Sequence, residues 1–221
     1  MFDAVAPKYD FLNQLLSLGI HKGWRKKAIR LLKDKKPKTI LDIATGTADF
    51  AIEALILNPE KVTGVDISSG MLKLGKEKVK KRGLENQIEL ILGDSEALPF
   101  ADNSFDAITV GFGVRNFEHL EKGIRDMHRV LKPGGKMIIL EFSKPRIFPV
   151  KQLYKIYFRY ITPFIGKFFS SSKEAYTYLP ESVNAFPDGD DFLNVLKKVG
   201  LKETKAILLS LGIASIYIAE K

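Results

Sequence analysis

Three carboxylates, Asp42, Asp66 and Asp94, each stand at a short strand-like run, and their spacing is the strongest chemical signal in the chain. The first lies in Ile40-Leu41-Asp42-Ile43-Ala44-Thr45-Gly46-Thr47-Ala48-Asp49, an apolar run that passes through a small-residue turn into helix-forming sequence. Where a dinucleotide binds such a turn, G-x-G-x-x-G lets backbone N–H groups reach the pyrophosphate at a helix N-terminus. Here Gly46 stands alone between Asp42 and Asp49, charges that repel a phosphate and attract an ammonium or sulfonium. Asp66 ends the second run, 20 residues after Gly46, where a carboxylate can accept from both hydroxyls of a ribose. Asp94 ends the third and is followed by Ser95, a hydroxyl placed to touch an adenine edge. Acidic strand ends in a chain of formal charge +9 point to a cationic, phosphate-free adenosine cofactor. S-adenosylmethionine, with S-adenosylhomocysteine as its product, meets each of these requirements.

The elements that must hold these residues alternate. Strand-like runs at Thr39 to Ile43, Val62 to Val65, Ile88 to Leu92, Ala107 to Val110 and Lys136 to Glu141 are interleaved with helix-like segments starting near Thr47, Ser69 and Phe117, the last running to Leu131. Such alternation predicts βαβ units and an α/β fold with a doubly wound, mainly parallel sheet. Ahead of it, His21 to Asp34 has helical periodicity and six Lys or Arg. Beyond it, a helix from Asp190 to Val199 precedes runs at Thr204 to Ser210 and Ile213 to Ala219, separated by Leu211-Gly212. A parallel crossover needs a dozen residues or more, so these two runs must form an antiparallel hairpin at one edge of the sheet. The expected organisation is a single domain over residues 1–221, with an N-terminal helical segment over 1–36 and an insertion over 144–187.

Composition narrows the chemistry further. A chain of 221 residues fits one α/β domain. Cysteine is absent, which excludes disulfides, thiolate metal sites, iron–sulfur clusters and a cysteine nucleophile. His21, His119 and His128 have no metal-ligand spacing, so no metal is expected. Phe11 to Ile20 is interrupted by Asn13 and Gln14 and is too short to span a bilayer, so a cytoplasmic protein is expected.

These residues sit in longer motifs. Tyr9-Asp10-Phe11-Leu12-Asn13 with Ser17, His21 and Trp24, the segment Gly111-Phe112-Gly113-Val114-Arg115-Asn116, and Arg129-Val130-Leu131-Lys132-Pro133-Gly134-Gly135 running on to Glu141-Phe142-Ser143 resemble the signatures of the menaquinone/ubiquinone biosynthesis C-methyltransferases. The order of elements resembles class I S-adenosylmethionine-dependent methyltransferases over essentially the whole chain. The resemblance implies methyl transfer from S-adenosylmethionine to a ring carbon of a prenylated quinol, demethylmenaquinol or a ubiquinone precursor. It also implies that Thr47, Asp66, Asp94 and Ser95 contact the methyl donor. Thr47 stands equally where a helix N-cap belongs.

A carbon nucleophile of this kind forms when the neighbouring ring hydroxyl loses its proton. Arg115 and Asn116, just after the fourth run, are the candidates to stabilise that oxygen, and Tyr9, His21 and His119 are within the range of places from which a base could act. For the acceptor, Arg146 to Tyr178 holds ten aromatic residues and six Lys or Arg against one Glu174. Over Val150 to Ile161 apolar residues follow helical spacing while Lys151, Lys155 and Arg159 recur every four. This is the expected lid over the acceptor, with a basic stripe suited to peripheral contact with an anionic membrane surface. Nucleic acid is not expected as a partner: Val110-Gly111-Phe112-Gly113 stands where amino-group nucleic-acid methylation uses an Asn/Asp-Pro-Pro-aromatic turn, and the cysteine route to 5-methylpyrimidines is closed.

Overall fold

A computed structural model of the chain describes residues 14, 17, 19–157 and 174–221. Seven strands form one sheet: β1 (Thr39–Ile43), β2 (Lys61–Asp66), β3 (Ile88–Leu92), β4 (Phe105–Gly111), β5 (Leu131–Phe142), β6 (Lys202–Leu209) and β7 (Ala214–Glu220). Their order is β3-β2-β1-β4-β5-β7-β6. The first five pair in parallel, while β7 runs antiparallel to both β5 and β6. The α/β, doubly wound class and the terminal hairpin are as the sequence predicts. The hairpin adds two strands, and β7, not β6, joins the parallel part.

The helices that matter to the site are α1 (Ile20–Arg30), α2 (Asp49–Ala54), α3 (Ser69–Lys81), α4 (Leu120–Val130), α5 (Val150–Ile156), α6 (Glu174–Ala185) and α7 (Asp190–Lys198). Strand periodicity of two divides the core. Ile40, Ile138, Leu140, Ile216 and Ile218 pack with Trp24, Ile29, Phe50 and Leu72 of α1, α2 and α3. Their neighbours Leu41, Met137, Ile139 and Tyr217 pack on the opposite face with Ile124, Met127, Phe192 and Leu196 of α4 and α7. Helices thus cover both faces, the arrangement that leaves a crevice at the carboxyl ends of β1 and β4, where the strand order reverses.

Three of the boundaries that differ from the sequence expectation bear on the site or the sheet. Helix α2 starts at Asp49 instead of Thr47, because Ala44, Gly46 and Ala48 all take positive φ (52°, 55° and 66°) and keep the turn out of helical geometry. Helix α4 starts at Leu120 instead of Phe117, since Val114–Asn116 is already coiled as a separate 3-10 turn. Strand β5 begins at Leu131, which pairs with Phe105 ahead of a register shift, after which Lys136 pairs with Ala107. Pro133-Gly134-Gly135 lies in this irregularity within the strand.

Candidate active site

At the reversal of strand order lies a cavity of about 230 Å³. Its wall includes Gly46 from the turn after β1, Asp66 from the end of β2, Asp94, Ser95 and Glu96 after β3, and Phe112, Asn116 and Glu118 after β4. Four loops far apart in sequence meet here because β1 lies between β2 and β4. The close approach of two of them depends on Gly113, where a Cβ would stand 2.5 Å from the Cβ of Ala44. Gly113 therefore lets the turn after β4 rest on the turn after β1.

Asp66 organises the floor. Its Oδ2 accepts from the Gly46 backbone N–H at 2.7 Å and its Oδ1 from the Ser68 N–H at 2.8 Å. Ser68 in turn caps α3, accepting from the Met71 N–H at 3.1 Å. One carboxylate thus ties the turn after β1 to the helix after β2. Asp94 accepts from the Glu96 N–H at 2.8 Å, which folds the loop after β3 back so that Ser95 faces the cavity.

Asp42, Asp49 and Thr47 are not part of the wall. Asp42 is wholly buried and accepts from the hydroxyls of Thr45 (2.6 Å) and Thr109 (2.7 Å). Burial pushes its carboxyl up to about 6, against the pull of the two hydroxyls. It anchors the turn from beneath and does not line the cavity, which corrects the expectation of direct attraction to a cationic ligand. Asp49 is likewise spoken for: burial is outweighed by Arg25 at 2.9 Å and Lys78 at 2.7 Å, which hold its carboxyl below the usual range. The Thr47 hydroxyl accepts from Lys78 Nζ at 3.0 Å, and Ala48, not Thr47, caps α2. Both residues pin the turn to α3.

Arg115 and Asn116, adjacent in sequence, part company. Asn116 lines the cavity. Arg115 does not: its Nη1 donates to Glu141 Oε1 at 2.8 Å and to the Phe112 carbonyl at 2.5 Å, and its Nε to Ser182 Oγ at 3.3 Å. The guanidinium also lies over the Phe142 ring, 5.4 Å from its centroid. Arg115 is expected to stabilise the acceptor oxygen; in the fold its guanidinium is paired with Glu141 and is not part of the cavity wall. Tyr9 lies outside the described residues.

Sequence reasoning passed over Glu96. It is buried on the cavity wall and accepts from the backbone N–H of His119 at 2.7 Å and meets its Nδ1 at 3.0 Å. Burial raises its carboxyl and these contacts, outweighing burial, bring it below its ordinary value. The only signal was its place two residues after Asp94. His119 stands at the N-cap position of α4, and His21 pairs with Ser17. Trp24 of α1 packs against Phe112 and Phe142 and donates to Ser210 Oγ at 3.0 Å, joining the N-terminal helix to the loop above the cavity.

Among the described residues the wall carries four carboxylates, Asp66, Asp94, Glu96 and Glu118, and no lysine or arginine, within a chain of net charge +9. Such a wall suits a cationic nucleoside and disfavours a phosphate. A doubly wound sheet ending in an antiparallel hairpin, with this acidic crevice at the reversal of strand order, defines a class I, Rossmann-like methyltransferase. The same fold is found in a SAM-dependent methyltransferase from Aquifex aeolicus (TM-score 0.62, 20% identity, 87% of this chain and 88% of that one). It is found also in the Haemonchus contortus phosphoethanolamine N-methyltransferase 2 solved with S-adenosyl-L-methionine (TM-score 0.62, 16% identity, 83% of this chain and 48% of that one).

The sequence narrows the class. The model of the ubiE/COQ5 methyltransferase family matches residues 1–221, and the chain belongs to that family. It is 50% identical over 222 residues to the demethylmenaquinone methyltransferase of Bacteroides fragilis, covering all of this chain and 91% of that protein. It is 47% identical over 223 residues to the ubiquinone/menaquinone biosynthesis C-methyltransferase UbiE of Geotalea daltonii, covering all of this chain and 94% of that protein.

Proposed function

We propose that this enzyme transfers a methyl group from S-adenosylmethionine to a ring carbon of a prenylated quinol, converting demethylmenaquinol to menaquinol. The acidic cavity wall formed by the described residues carries the donor part of this reading, and the names of the relatives carry the acceptor part.

The residues present fit the donor: carboxylates for its hydroxyls and cationic groups, apolar Ile67 and Met71 for its ring, and a turn that approaches closely at Gly46. When bound, S-adenosylmethionine supplies an electrophilic methyl group on a positively charged sulfur. Asp66 takes the ribose hydroxyls, Asp94 and Ser95 meet the adenine edge, and Asp42 and Thr47 keep the turn in place from behind. Asn116 offers its amide N–H to the quinol oxygen and favours its ionisation, the proton passing to solvent, which makes the adjacent ring carbon nucleophilic. After that carbon takes the methyl group, its hydrogen leaves as a proton and the oxygen is reprotonated, so one proton is released in all. Arg115, neutralised by Glu141, holds the Phe112 carbonyl and thus the loop that carries Asn116. Alignment of ring carbon and methyl group removes much of the remaining barrier.

The whole chain acts as one methyltransferase unit in this reading, and residues 144–187 cover the acceptor. Ile147, Phe148, Leu153 and Ile156 are exposed beside Lys151 at and before α5, which supports peripheral contact with an anionic membrane from the cytoplasmic side. Among the described residues no helix is long and apolar enough to cross a membrane.

Incubation of the purified chain with labelled S-adenosylmethionine and, in parallel, reduced demethylmenaquinone, a reduced ubiquinone precursor and RNA tests the reading. Label is expected in the demethylmenaquinol product. Label in RNA alone, or in none of the three, would overturn it.

A further inference from the structure

We propose that Tyr178, on α6, is a positioning residue for methyl transfer: its hydroxyl fixes the side-chain amide of Asn116 so that an N–H faces the acceptor oxygen. The inference rests on the functional reading above and adds a residue to it.

Tyr178 donates from its hydroxyl to Asn116 Oδ1 at 3.0 Å, and Asn116 Nδ2 faces the Phe112 carbonyl at 3.5 Å. A carbonyl oxygen only accepts, so the nitrogen end of the amide belongs at Phe112 and the oxygen end at Tyr178. A tyrosine hydroxyl placed on the oxygen end completes that assignment and opposes a flip. Nδ2 carries two hydrogens, and the Phe112 carbonyl takes one. The second is the donor that Asn116, as a wall residue of the cavity, can present to a ligand oxygen.

Tyr178 does not line the donor cavity; it belongs to the segment expected to cover the acceptor. One helical turn on, Ser182 accepts from Arg115 Nε at 3.3 Å, so α6 grips two consecutive residues of the same loop. Docking of the cover and orientation of the amide are therefore one event. Without the hydroxyl, Asn116 can rotate, and the loss falls on the state in which the quinol oxygen gains charge rather than on binding of the neutral quinol.

The test is a double-mutant cycle in the full-length chain with Tyr178→Phe, Asn116→Ala and the double variant, using labelled donor and a short-tailed demethylmenaquinol. Tyr178→Phe is expected to lower kcat by about tenfold while the quinol KM and the affinity for S-adenosylhomocysteine stay within about twofold. In the Asn116→Ala background the same substitution is expected to change kcat no further. Ser182→Ala separates docking from orientation: a purely docking role for α6 predicts that it and Tyr178→Phe both raise KM alike. A readout free of catalysis is the side-chain amide pair of Asn116 in a nitrogen-15 correlation spectrum, assigned by its loss in Asn116→Ala and expected to move in Tyr178→Phe. Full kcat in Tyr178→Phe, multiplicative losses in the double variant, or an unmoved Asn116 amide would each overturn the proposal. An inactive wild-type chain would instead overturn the functional reading, and the amide spectrum would still decide whether Tyr178 orients Asn116.

Discussion

Arg115 and Glu141 form an ion pair of 2.8 Å in which the carboxylate is wholly buried and the guanidinium side chain is 8% exposed. The pair joins the loop after β4 to the end of β5. Glu141 Oε1 also accepts from the Phe142 N–H at 2.8 Å, and the Arg115 N–H points to Oε2 at 3.3 Å. These contacts of Glu141 hold the loop that carries Asn116 to the end of β5.

Breaking one side of this pair should cost more than removing both. Arg115→Met leaves Glu141 buried without its cation, for which a loss of about 3–5 kcal/mol of stability is expected. Arg115→Met combined with Glu141→Gln should recover much of that loss. Urea unfolding of the single and double variants at pH 7.5 checks this, and equal destabilisation of the two would show that the pair does not act as a unit.

Asp42 predicts a pH dependence. Its carboxyl is raised from 3.8 to about 6 in the folded protein, chiefly by burial. A raised value means that the folded state binds the proton more tightly than the unfolded state. The associated stability is therefore full below pH about 4 and is lost as pH rises through about 6. Asp42→Asn does not titrate, so between pH 4 and pH 7.5 its stability relative to wild type should improve by on the order of 3 kcal/mol. A difference that stays flat across this range would show that Asp42 titrates alike in both states.

Asp66 should control donor affinity. Removing a carboxylate that accepts charge-assisted hydrogen bonds of about 1.5–3 kcal/mol each should weaken binding by at least roughly tenfold. Calorimetric titration of Asp66→Ala with S-adenosylhomocysteine reads this directly. Circular dichroism should show the fold retained, because the core on either side of the sheet does not include Asp66. Undiminished affinity would remove Asp66 from the donor site.

The surface at α5 predicts lipid selectivity. Phe148, at 82% exposure, and Leu153, at 61%, stand beside the exposed Lys151, so anionic vesicles should be bound in preference to neutral ones and added salt should weaken binding. Substituting Lys151, Lys155 and Arg159 together by Glu should abolish the preference in a flotation assay. Retained selectivity would make the basic stripe an ordinary solvated face.

The repeating architecture and the positions of the acidic residues at the strand ends are legible in the chain before it folds. Both are written in local sequence: short apolar runs such as Ile40 to Ile43 and Ile88 to Leu92 give strands, Asp66 closes β2, and Asp94 follows the end of β3 by two residues. The short link at Leu211-Gly212 likewise leaves only an antiparallel hairpin. The partners of the charges were decided by the tertiary structure alone. Arg115 and Asn116 are neighbours in the chain, yet one pairs with Glu141 and the other lines the cavity, because the turn at Val114–Asn116 separates their directions. Asp42 resembles Asp66 in sequence context, but the Asp42 side chain lies beneath the turn after β1, against Thr45 and Thr109, whereas Asp66 ends β2 at the crevice. Glu96 gained its place only when the loops after β3 and β4 met and brought His119 to it. A carboxylate's neighbours come from strand order and loop packing over tens of residues, and its electrostatic role follows from those neighbours and its burial, neither of which is carried by the residues adjacent to it in the chain.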